Sequence, residues 1–176
     1  MEYLVANGLT YKPNYVSEER AKEIIKFIEG QEWSKTLSRR TQQYGYEYNY
    51  AKGVSKLEKV HPIPDILKIF GEEFNQVIIN EYEPGQGISA HTDHQKFFGN
   101  KIVSISLLSP IIMNFANNNV KIPVALEPNS CVIMEGDARY KWTHEIPSRK
   151  SDVINGTKIA RSKRISLTFR NYVGSE

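Results

Sequence analysis

Apolar residues recur along this chain in two rhythms, and the change from one to the other divides it. Ala21, Ile24, Ile25 and Ile28 fall on one side of a 3.6-residue period. Ser17 is a good N-cap, Glu18 and Glu19 suit the positive end of a helix dipole, and Gly30 closes the segment. A docking helix is therefore expected over 17–30. A second is expected to start at Pro64, with Ile66, Leu67, Phe70 and Phe74 on its apolar side. From residue 77 the period becomes two. Asn80 and Tyr82 then share one strand face, and Ile79 and Glu81 the other. Pro84, Gly85 and Gly87 break this strand. If the chain is extended again at 91–93, His91 and Asp93 also share a face. Short strands are expected at 102–108, 111–115, 120–126, 131–135, 142–146 and 165–172, with a turn at 117–119. Asn155-Gly156 signals a type I′ hairpin. Two helices followed by many short strands predict a mainly β (α+β) fold, a sandwich or jelly roll.

The segment 35–60 has a different character. Lys35, Arg39, Arg40, Lys52, Lys56 and Lys59 are opposed there only by Glu47 and Glu58. Tyr44, Tyr46, Tyr48 and Tyr50 recur at period two, which predicts one strand with one aromatic face. Such rings can cover a core from an edge strand. They can also form a basic flap whose rings stack on bases while its cations meet phosphates. The two roles can belong to different tyrosines.

Length and composition set the bounds. A chain of 176 residues suits one domain, 1–176, and its 40% hydrophobic and 24% charged content is that of an ordinary globular protein. A net charge of +3 permits a nucleic-acid partner without requiring one. The single cysteine, Cys131, excludes an internal disulfide, and its apolar surroundings predict a buried, inert thiol. The first residues lack a basic region followed by an apolar stretch. The longest apolar region, 102–115, is interrupted by Ser104, Ser106, Ser109, Pro110 and Asn114 and is too short to span a bilayer. A cytoplasmic monomer with no membrane partner is expected.

His91 and Asp93 alone are half of a metal site, and a lone His-x-Asp pair is more often a surface turn. Downstream, however, lies His144, within Tyr140-Lys141-Trp142-Thr143-His144. Two imidazoles and one carboxylate that leave positions open suit a non-haem Fe(II) centre that activates oxygen. That centre needs electrons from a co-substrate, and 2-oxoglutarate needs a cationic clamp. The last strand offers one, because its alternation puts Arg164, Ser166, Thr168 and Arg170 on one face and Ile165, Leu167 and Phe169 on the other. Most such faces are simply wet. Inside a jelly roll, two arginines call for anions, and a C5 dicarboxylate supplies two.

Taken in order, Asn80-x-Tyr82, His91-x-Asp93, His144 and Arg164-x-Ser166-x-x-x-Arg170 resemble the signature of the AlkB-type 2-oxoglutarate- and Fe(II)-dependent dioxygenases. The similarity runs over roughly 38–172 and includes Arg139, Tyr140 and Trp142. It implies a double-stranded β-helix core over 76–172, with a nucleotide-recognition flap at 35–60. Carried over, His91, Asp93 and His144 would hold Fe(II). Arg164 and Tyr82 would take the distal carboxylate of 2-oxoglutarate, with Ser166 beside them. Asn80 and Arg170 would lie by the end that chelates the metal. Oxygen would then convert the co-substrate to succinate and attack a C–H bond of the substrate.

The resemblance is closest to the branch that hydroxylates a modified wobble uridine in tRNA, through Arg39, Arg40, Gln42, Tyr44, Tyr46 and Glu47. Many repair members have Asn where this chain has Ser166. They also read the damaged base with a second Asp, where this chain has Gln95. Arg39, Arg40, Tyr46, Tyr48 and Gln95 are the candidate substrate contacts. Three readings follow: an oxygenase of a nucleobase substituent in RNA or DNA, by hydroxylation or by demethylation of an alkylated base; a protein or small-molecule hydroxylase on the same scaffold; and a non-catalytic nucleic-acid-binding domain with a relic site. The intact triad and both arginines speak against the third.

Overall fold

The alternation from residue 77 onward folds largely where it predicts, in a computed structural model that describes residues 3–49 and 56–174. The chain opens with β1 (Tyr3–Ala6) and β2 (Leu9–Lys12), a hairpin the apolar pattern did not announce. α1 (Glu18–Glu29) follows. The Ser17 hydroxyl accepts from the Arg20 N–H as its cap, and Ala21, Ile24 and Ile28 are buried. Next come β3 (Arg40–Tyr44), β4 (Tyr46–Glu47), β5 (Glu58–Lys59) and β6 (Gln76–Tyr82). β7 (Ile88–His91), β8 (Ile102–Leu107), β9 (Ile111–Asn117), β10 (Val120–Leu126) and β11 (Cys131–Met134) form the middle of the chain. A short helix, α2 (Gly136–Tyr140), precedes β12 (Thr143–Ile146). β13 (Ser151–Ile154) and β14 (Thr157–Ala160) form the expected hairpin, with Asn155 and Gly156 both at positive φ. β15 (Arg164–Arg170) ends the fold.

Among the described residues, seven strands make one sheet in the order β1-β2-β11-β8-β15-β6-β3, and four make a second, β10-β9-β12-β7. This is a mainly β jelly roll. The apolar positions of its central strands, including Ile79, Ile105, Leu107, Ile165, Leu167 and Phe169, form a core with Ile24 and Ile28 of α1. A second core, with Leu9, Ile102, Phe115, Val124, Leu126 and Ile146, joins the two sheets. The polar positions of β6 and β15 are therefore not a wet face. Asn80, Arg164, Ser166 and Arg170 are buried within the roll.

Two expectations are corrected. In place of a second helix at Pro64 there is a single 3-10 turn, Asp65–Leu67. Lys68 leaves the helical region and Gly71 turns the chain at φ +61, so fewer than two turns could form, too few to repay nucleation. Tertiary packing buries the apolar residues instead, with Phe70 edge-on to Phe169 at 4.9 Å. Among the described residues, the roll thus has one supporting N-terminal helix.

Nor do the tyrosines share one strand. Gly45 sits at φ +81, where a Cβ would collide with the Asn75 carbonyl, and it separates β3 from β4. β3 joins the large sheet beside β6, whereas β4 pairs with β5. Tyr44 packs on the helix-side core, while Tyr46 and Tyr48 pack around Leu57, Phe97, Phe98 and Tyr172. Tyr50 and Lys52 lie outside the described residues.

Candidate active site

β7 and β12 bring the two histidines together. His91 and His144 are direct partners in the antiparallel register. The turn before β7 can close over β12 because residue 87 is glycine. Any Cβ there would overlap the Ile146 carbonyl. Asp93 follows two residues after His91, on a loop held by Arg139 of α2. That buried guanidinium donates to the carbonyls of Asp93 (3.0 Å), His94 (3.2 Å), Phe98 (3.1 Å) and Gly99 (3.0 Å). The four bonds fix the backbone of the loop that carries Asp93.

The result is one cluster. Ligand atoms of His91, Asp93 and His144 all lie within 4.8 Å of one another. Asp93 Oδ1 is 3.5 Å from His91 Nε2 and 3.4 Å from His144 Nε2. Its other oxygen accepts from Arg170 Nη1 at 3.1 Å. Burial alone would push the Asp93 carboxyl up. The imidazoles and the Arg170 charge outweigh it and hold the group well below the usual carboxylate range. Burial also opposes a charge on His91, but Asp93 and the Ser89 carbonyl raise it above its ordinary value. An ionised carboxylate and two imidazoles converging from one side are a donor set that fits Fe(II) with positions to spare.

Beside the cluster, a narrow cavity runs into the roll. Arg164 lies at its inner end, 1% exposed, with its guanidinium 5.4 Å from the centre of the Tyr82 ring. Nη2 donates to Ser106 Oγ at 2.8 Å, while Nε and Nη1 have no partner. Burial lowers its pKa to about 10, which leaves it charged at neutral pH. A buried cation with two unsatisfied nitrogens is costly unless an anion occupies the cavity. Arg170 donates from Nε to Gln76 Oε1 at 2.8 Å, yet its Nη2 is also unpartnered. These orphaned donors fit a dicarboxylate.

Of the residues singled out by sequence, Asn80, Tyr82, His91, Asp93, His144, Arg164, Ser166 and Arg170 all line this cavity. Arg39 joins them and donates from Nε to Asn80 Oδ1 at 2.8 Å. The cavity opens past the cluster into a mouth of about 520 Å³ that Arg39, Tyr48 and Phe98 border. Three expected substrate contacts lie elsewhere. Arg40 faces the opposite side of the sheet, paired with both Glu81 oxygens at 2.8 Å and stacked on Trp33. Tyr46 packs on Tyr172 with ring centres 4.8 Å apart. Gln95 is turned outward to donate to the Tyr140 carbonyl at 2.9 Å. Sequence reading missed Ser104, Met113 and Met134 in the cavity wall. The phase of the alternation in β8 marks Ser104, but the two methionines carry no signal beyond being apolar.

A His-Asp-His cluster beneath a cationic cavity in a jelly roll defines a class, and the chain belongs to it: the 2OG-Fe(II) oxygenase superfamily, whose family profile matches residues 28–170. That family uses Fe(II), 2-oxoglutarate and O2. Within it the chain is homologous to AlkB family members. It is 37% identical to protein L905 of Acanthamoeba polyphaga mimivirus over 95% of this chain and 86% of that one. It is 34% identical to the tRNA (carboxymethyluridine(34)-5-O)-methyltransferase ALKBH8 of Macaca fascicularis over 88% of this chain, which spans only 26% of that protein. The fold is that of OsALKBH1, with a TM-score of 0.75 at 16% identity, covering 98% of this chain and 100% of the other.

Proposed function

We propose that this oxygenase oxidises a nucleobase substituent in nucleic acid, with hydroxylation of a base in tRNA or other RNA first and demethylation of an alkylated base in DNA or RNA second. One observation carries the reading. The His91, Asp93 and His144 cluster stands where the cationic cavity meets a mouth bordered by a cation, Arg39, and a half-buried ring, Tyr48. A ring to stack on and a cation for the phosphate are what a flipped-out base requires. The macaque relative, named for methylating a uridine of tRNA, supports it.

In this reading His91, Asp93 and His144 hold the iron, and Arg170 fixes the Asp93 carboxylate so that Oδ1 faces the imidazoles. Arg164 and Tyr82, with Ser166, take the distal carboxylate of 2-oxoglutarate. Asn80 and Arg170 attend the end near the metal. When bound, iron, 2-oxoglutarate and O2 supply the oxidising power: one oxygen atom goes to the co-substrate, which leaves as succinate and CO2, and the other to a substrate C–H bond. The chain's contribution is position and shielding. Residues 76–172 serve as the core of a single domain over 1–176, and 35–60 as the recognition segment, through Arg39 and Tyr48 at the mouth.

The test is to incubate the Fe(II) protein and 2-oxoglutarate with separate pools of tRNA, methylated DNA and free nucleosides, then follow succinate and modified nucleosides by mass spectrometry. New oxidised nucleosides in a nucleic-acid pool are expected. Succinate formed only with protein or small-molecule substrates would favour the hydroxylase reading instead.

A further inference from the structure

We propose that Arg139 is the positioning residue of the metal site, and that it sets from α2 where the Asp93 carboxylate stands. The inference rests on the reading that His91, Asp93 and His144 hold the iron, and it is independent of the substrate. Two of the three donors need no such help, because His91 and His144 are direct partners in the pairing of β7 with β12. Asp93 has no strand to place it. It lies in the connection from β7 to β8, and connections are by default the more mobile parts of a fold. A metal ligand has to stay within about 0.5 Å of its working position.

Arg139 acts on that carboxylate by two routes. The first is the main chain. Its guanidinium is 2% exposed and commits all three nitrogens to carbonyls of this connection: Nη1 to Asp93, Nη2 to His94 and Phe98, and Nε to Gly99. None of the four is a carboxylate, so the buried charge holds backbone. The second route runs through Phe98. The Arg170 guanidinium sits over the Phe98 ring, 3.8 Å from its centre, and donates to Asp93 Oδ2 at 3.1 Å. Arg139 therefore fixes both the backbone that carries the carboxylate and the ring that seats the arginine orienting it. It also stands five residues before His144, and Gln95 adds a bond from the same connection to the Tyr140 carbonyl of α2. The helix thus ties the loop of one donor to the strand of another. A planar guanidinium reaches carbonyls in several directions at once, whereas the compact ammonium of lysine does not.

The test titrates the metal-free protein with Co(II) in place of Fe(II). Calorimetry gives the affinity, and the visible absorption band of the bound ion reports the arrangement of its donors. Arg139→Lys keeps the charge and loses the fork, so it should weaken Co(II) binding by about ten- to a hundredfold and change the band. Arg139→Met should weaken it at least as much. Ile24→Val, in the helix-side core, should lower the thermal midpoint and leave affinity and band as in wild type. A folded Arg139→Lys protein with wild-type affinity and band overturns the proposal. An equal loss of affinity in Ile24→Val does so too, because binding would then merely follow stability. Failure of both arginine variants to fold assigns Arg139 to the stability of the roll and overturns the positioning role. No Co(II) binding by wild type overturns the metal-site reading itself, and this inference with it.

Discussion

His91 and His144 face each other as direct cross-strand partners on β7 and β12, their ring centres 4.4 Å apart. The strand pairing itself, and not a flexible loop, sets the spacing of two of the three donors. Iron takes neutral imidazole, so protons and metal compete at His91, which Asp93 holds above its ordinary pKa. Asp93 stays ionised well below that range and adds no slope near neutrality. Fe(II) affinity should therefore weaken as pH falls through the raised His91 pKa and level off above it. Titration at several pH values between about 6 and 8 checks this, and a flat profile would mean that His91 is not a ligand.

Arg164 presents a separable prediction. Arg164→Leu should lose most 2-oxoglutarate affinity, on the order of 3–5 kcal/mol for a desolvated carboxylate left without its partner. The ligand-free protein should be no less stable, because the change removes a buried charge with two unsatisfied nitrogens. Calorimetric binding and a thermal scan of the same sample measure both. Unchanged binding would place the clamp elsewhere.

The same chemistry with opposite sign applies to Asp152. It accepts from Arg161 through both oxygens, at 2.8 and 3.0 Å, and both side chains are 2% exposed. Arg161 also donates to the Gln86 and Pro147 carbonyls, pinning the β13–β14 hairpin beside the turn that precedes β7. Asp152→Ala should cost about 3–5 kcal/mol by stranding a buried cation, read from denaturant unfolding. A loss below about 1 kcal/mol would show that the pair is solvated in solution.

The two adjacent arginines should behave differently. Arg39 borders the mouth, so Arg39→Ala should weaken RNA binding and flatten its dependence on salt. Arg40 is engaged with Glu81 and Trp33 on the far face, so Arg40→Ala should lower the thermal midpoint slightly and leave the salt slope alone. Equal slopes for both variants would remove the mouth as the place where phosphate is met.

The difference between Arg39 and Arg40 also marks where sequence reading stops. Period-two alternation in 77–82 and 164–170 sorted Asn80, Tyr82, Arg164, Ser166 and Arg170 onto one face, since strand geometry leaves no other option. The direct pairing of His91 with His144 depends on which strands are neighbours, and no local pattern carries that information. The tyrosine run failed for a local reason, because Gly45 reverses the chain inside it. The helix expected at Pro64 failed because its apolar spacing is equally served by irregular chain packed on β15. Gln95 and His94 are neighbours, yet His94 lines the mouth while Gln95 bonds to the Tyr140 carbonyl, a choice no local pattern carries.

The central claim is that the His91, Asp93 and His144 cluster works with the cationic cavity as one oxidising site. The direct measurement is Fe(II)-dependent conversion of 2-oxoglutarate to succinate by wild type and by His144→Ala, at matched folding. Wild type should form succinate only when iron is present, and His144→Ala should form none above background. Succinate from His144→Ala at the wild-type rate, or none from wild type with any substrate pool, would contradict the account.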